Sequence, residues 1–129
     1  MEYLYHFANA SLTLRLIEYL NYKREFPLDS LTVIHRLDTW IVKLRMASSF
    51  LPQQQGDLKA VLNELGIPYQ PLIEVKIALQ SLESGESPLK VMHRYQVVIV
   101  SHGKPSLEDV ETFRQRFIQG LGYCPQHLA

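Results

Sequence analysis

Cysteine is nearly absent: Cys124 stands alone in the chain. A lone thiol forms no internal disulfide and builds no Cys-rich zinc module, so the fold must rest on its own core. An excess of charge of either sign is missing too, since 13 Lys and Arg balance 13 Asp and Glu. Nucleic-acid-binding domains gain affinity by neutralising phosphates, so this balance argues against nucleic acid and against an anionic membrane surface as partners. Tyr3 to Leu14 contains no Asp, Glu, Lys or Arg, but it carries His6, Asn9, Ser11 and Thr13. It is also shorter than the roughly 20 residues needed to span a bilayer. The start Met1-Glu2-Tyr3 has no basic segment of the kind that opens a signal peptide, so the chain is expected to be cytoplasmic. Zero net charge removes self-repulsion and makes a homodimer accessible.

What is present suits one globular domain over residues 1–129: 47% hydrophobic, 10% aromatic and 20% charged residues. A chain of this size buries roughly two-thirds of its unfolded surface, enough for one core. Pro and Gly punctuate it at Phe26-Pro27, Leu51–Gly56, Gly66–Pro68, Ser84–Pro88 and His102–Pro105, and no gap is long enough for an interdomain linker.

Apolar spacing predicts a helix over residues 11–24, through Leu12, Leu16, Tyr19 and Leu20, with Ser11 as a possible N-cap. A second and central helix is expected over 31–50. Leu31, Ile34, Leu37, Ile41 and Leu44 form its stripe, Trp40 widens it, and Asp29 or Ser30 caps it. A short helix follows over 57–65, with Gly66 at an αL C-cap position. Residues 72–82 fit a helix by Leu72, Val75, Leu79 and Leu82, and a strand by Ile73, Val75, Ile77 and Leu79; length and good helix formers favour the helix. Residues 95–100, YQVVIV, read as the one strong strand. Its expected partner is residues 3–7, where Tyr3, Tyr5 and Phe7 alternate, or residues 73–79. A last helix begins at Ser106, with Val110, Phe113, Phe117 and Leu121 on its buried side. The fold class is therefore α+β: about five helices and a minimal sheet that includes strand 95–100.

Three constellations bear on chemistry. Ser101, His102, Gly103, Lys104 and Ser106 form a connection from strand to helix. Backbone N–H groups there, a Lys and the helix dipole together can hold an anion. The spacing is neither G-x-x-x-x-G-K-[ST] nor G-x-G-x-x-G. The strand followed by His102-Gly103 resembles the N-terminal strand-and-loop of cobalt and iron chelatases of tetrapyrrole synthesis. The resemblance covers a handful of residues, and about 27 follow His102, fewer than the parallel sheet of such an enzyme requires. Cys124 and His127 have x₂ spacing and could join His102, but a structural zinc takes four protein ligands, so no metal and no cofactor is expected. Cys124 with either His lacks a catalytic motif, and His35 with Asp38, one turn apart on the expected helix, reads as a surface pair. No catalytic residue is assigned.

An unprotected strand edge remains. Residues 96–100 carry neither charge nor Pro, the usual guards of an edge. Gln96, Val98 and Val100 on that strand, with Tyr3 and Tyr5 at the aromatic chain start, are the candidate partner-binding residues. The expected function is a non-enzymatic protein–protein interaction module, such as a small cytosolic adaptor, assembly factor or regulator, that binds another protein or peptide. The alternative is a small enzyme or phosphate-ligand binder using loop 101–106.

Overall fold

The computed structural model describes residues 1–23, 25–95 and 97–103. Its elements are β1 (Glu2–Phe7), α1 (Ala10–Tyr22), β2 (Leu28–Arg36), β3 (Thr39–Met46), α2 (Pro52–Leu65), β4 (Ile67–Pro68), α3 (Ile73–Glu83), α4 (Pro88–Tyr95) and β5 (Val98–Gly103). All strand pairs are antiparallel, and the five strands run in the order β4-β1-β3-β2-β5. The class is α+β, as the composition and patterning imply. The sheet, however, is the organising element of the fold and not a minimal one.

The expected central helix over 31–50 is a β-hairpin. Leu31, Val33, Trp40, Val42 and Leu44 point to one face of the sheet and Ile34 and Ile41 to the other, and all are buried. Both faces are apolar, so polar and apolar residues do not alternate cleanly, and a spacing of three and four arises by coincidence. Leu37 breaks the supposed stripe. It sits in the two-residue turn between β2 and β3 at φ 47°, and it is 79% exposed.

In β1 the aromatic residues alternate, with Leu4 turned to the second core. Tyr3, Tyr5 and Phe7 lie opposite Leu44, Val42 and Trp40, and pack with them on the first face. Asn9, not Ser11, caps α1: its Oδ1 accepts from the Leu12 N–H at 2.9 Å, while Ser11 is buried. Helix α2 begins five residues before the expected start. Pro52 occupies its first position, where its missing N–H costs nothing. Gln54 Oε1 accepts from the Leu51 N–H at 3.1 Å, and Gln55 Nε2 donates to the Phe50 carbonyl at 2.8 Å. The Gln run is thus the first turn of a helix.

Gly66 ends α2 in an extended conformation, φ −149°, and not in the αL form expected of a C-cap glycine. Its bareness serves a close approach instead. A Cβ there would lie 2.5 Å from the Phe7 ring and 2.7 Å from the His6 carbonyl oxygen.

Residues 73–83 are helical, which resolves the ambiguous segment. Helix α4, absent from the expected elements, opens with Pro88, and the Ser87 carbonyl accepts from the Val91 N–H at 3.1 Å. Tyr95, expected to open the strand, is the last residue of this helix. The last expected helix, from residue 106, lies outside the described residues, among which there are four helices.

Two cores result. The first packs α1 and α2 against Phe7, Val33, Trp40 and Leu44. The second packs α3 and α4 against Ile34 and Ile41, with Val97 beside them. Each helix pair covers one face of the sheet.

Candidate functional site

Strand β5 forms one end of the sheet, and β2 is its partner among the described residues. This corrects the expected partners, residues 3–7 and 73–79. The first is separated from β5 by two strands, β3 and β2, and the second is helical. The true partner, β2, lies in the segment whose apolar spacing imitates a helix. Its β-branched run Thr32-Val33-Ile34 is the signal that identifies it.

The register runs Leu31↔Gly103, Thr32↔His102 and Val33↔Ser101, then shifts so that Ile34 faces Ile99 and His35 faces Val98. Val100 is the residue passed over. Such a bulge bends a strand and interrupts its ladder. The edge is therefore divided into two short stretches, 98–99 and 101–103. Ile99 packs half-buried on the second core, and Val97 is buried within it. Both anchor the strand from the helix side.

Ser101, His102 and Gly103 belong to this strand and not to a loop, because β2 offers them pairing positions. Lys104 and Ser106, the rest of the expected anion cradle, lie outside the described residues, as do Gln96, Cys124 and His127. Among the described residues no group of three or more His, Cys, Asp or Glu is placed to hold a metal ion.

Tyr3 and Tyr5 are not brought near Val98 and Val100, since β3 and β2 intervene. Tyr5 is buried in the first core and its hydroxyl donates to Asn63 Oδ1 at 2.6 Å. Tyr3 is half-buried against the same core, and burial, with a smaller contribution from Tyr5, raises its phenol above the ordinary value. Sequence alternation found their strand but could not show that both side chains turn toward the helices.

His35 is the titratable group nearest β5 in the register. Its ring stacks on Trp40 with centroids 4.2 Å apart and planes 14° from parallel. Burial lowers its pKa, and Asp38 in the hairpin turn partly offsets that. The two were paired in the sequence as neighbours on a helix; a hairpin brings them close instead.

An antiparallel sheet with a helix pair on each face is thus the frame that presents the β5 edge. No family model matches the chain, and no curated protein matches it. The chain is similar in fold to the crystal structure of the C-terminal domain of YpbH, with a TM-score of 0.52 and 20% identity. The match covers 89% of this chain and 97% of that one. At that identity the likeness concerns the fold alone.

Proposed function

We propose that the chain is a non-enzymatic interaction module of the cytoplasm, an adaptor, assembly factor or regulator, that receives an extended segment of a partner protein along the outer edge of β5. The supporting observation is that the sheet ends, among the described residues, in a strand paired on one side. A strand added there gains main-chain hydrogen bonds, each contributing about 0.5–1.5 kcal/mol net. The bulge at Val100 limits the added strand to a few residues. Four such bonds fall short of the roughly 8 kcal/mol of a micromolar complex, so side chains of the partner must supply the rest. This favours selective, transient binding over indefinite edge-to-edge stacking.

The test is a peptide selected on the purified chain from a random library, then N-methylated at alternate backbone amides. Methylation in one register should abolish binding, while methylation in the other leaves it unchanged, because alternate N–H groups of an added strand face the sheet. Binding indifferent to methylation in both registers would overturn the reading. Sedimentation over a range of concentrations separates a second copy of the chain from a foreign segment as the occupant.

A further inference from the structure

Beyond the β5 edge, we infer a second interaction surface on the other side of the sheet: a cleft between β1, β3 and α3 that accepts a partner segment carrying a basic residue and an acidic residue about three positions apart. The inference extends the interaction reading but uses no residue of β5, so either can fail alone.

The cleft has a volume of about 410 Å³. Its apolar wall is Leu4, Pro71 and Leu79, and its polar groups include Lys43, Lys76, Glu2 and Glu83. Lys43 comes from the middle of the sheet and its side chain is only 14% exposed. Its ammonium lies 2.5 Å from Glu83 Oε1 and 3.5 Å from Glu2 Oε2. Two carboxylates thus share one ammonium. Four carboxylate oxygens offer more acceptor sites than three N–H groups can fill. The two carboxylates outnumber the one ammonium and both stay partly exposed, so a Lys or Arg of a partner can reach them with its aliphatic stem along the apolar wall.

The opposite end of the cleft has the other sign. Lys76 is exposed and forms no ion pair among the described residues. It lies seven residues from Glu83 along α3, about 10 Å at 1.5 Å per residue. An extended segment covers the same distance in about three residues. Beside Lys76 on the helix surface stand Ile73 and Ile77, one turn apart and 70% and 38% exposed. A segment seated in the cleft would border this apolar strip. Charge complementarity therefore points to one occupant: basic at the Glu2–Glu83 end, acidic at the Lys76 end.

The probe is an acetylated, amidated peptide containing Arg-Val-Thr-Glu, followed by NMR shift perturbation and calorimetry on the whole chain. Shifts should concentrate in β1, β3 and α3. Replacing the peptide Arg by citrulline should weaken binding at least tenfold, as should Glu83→Gln. Lys76→Glu, at an exposed position that leaves folding unchanged, should weaken it at least fivefold and restore it for a peptide ending in Lys instead of Glu. Thermal melts verify the fold of each variant. Absence of shifts in β1 and α3, or equal binding of all peptides to both Lys76 forms, would overturn the inference.

Discussion

The two faces of the sheet are closed by different means. On the first, α1 and α2 bury a large apolar core in which the rings of Tyr19, Phe26 and Phe50 meet edge to face, 6.1 and 5.2 Å apart. The buried Tyr5 reaches the margin of this core, where its hydroxyl donates to the exposed Asn63. On the second, α3 and α4 bury a smaller core, and the margin is held by ion pairs: Lys43 with Glu83 and Glu2, and Arg36 with Glu74 at 3.7 Å. Apolar burial contributes about 25 cal/mol per Å², whereas a surface ion pair such as Arg36–Glu74 contributes about 0–1 kcal/mol. The first face thus holds most of the stability. The second face keeps ion pairs and exposed apolar side chains such as Ile73 and Ile77 at its margin.

The largest effect expected is from Trp40→Ala. Trp40 is 1% exposed in the first core, and its truncation should cost about 3–5 kcal/mol in denaturant unfolding followed by circular dichroism. Leu79→Ala, on the second face, should cost about 2–3 kcal/mol, because Leu79 also lines the open cleft and its loss leaves less enclosed void. Equal costs at the two sites would remove the distinction between the faces.

A smaller change of opposite sign is expected at the hairpin turn. Leu37 is exposed and holds a positive φ, so Leu37→Gly should stabilise the chain by about 1 kcal/mol and raise its melting temperature. A fall in melting temperature would contradict the hairpin itself.

The smallest effect is in pH. Burial lowers the His35 pKa in the folded chain, so the unfolded chain binds this proton more readily. The stability held by neutral His35 is fully present above the ordinary imidazole value of about 6.5 and is lost as pH falls through the folded-state value. His35→Gln should flatten the part of the stability profile that falls away below about pH 6.5. Stacking on His35 also makes fluorescence of Trp40, the one tryptophan, a reporter of the same titration. An unchanged profile in the variant would assign the pH dependence to other groups.

Much of this architecture is legible in the residues where one face is more deeply buried than the other. Tyr3, Tyr5 and Phe7 alternate because they face a core on one side, and the spacing in residues 10–22 is helical because α1 buries one stripe. The class and the region of β5 follow from the same patterns. The hairpin is illegible for two physical reasons. Residues 31–44 are covered on both faces, so hydrophobicity carries no period of two, and the turn is made by Leu37-Asp38 and not by a Gly or Asn pair. Thr32, Val33, Ile34, Thr39, Ile41 and Val42 are β-branched, and that local preference was the better guide. Reading this segment as a helix also concealed β2 as the partner of β5. The cleft pairs Glu2 and Lys43 with Glu83, residues far apart in sequence, so only the assembled sheet reveals it.

Amide hydrogen exchange in the free chain tests the proposed edge most directly. The amides of β3, paired on both sides by β1 and β2, should exchange slowest. Along residues 98–103 the N–H groups turned toward β2 should be protected and those turned outward should exchange fast. Addition of a selected binding peptide should protect the fast ones. Uniform slow exchange along β5 in the free chain would show that its outer edge is already covered, and would contradict the proposed site.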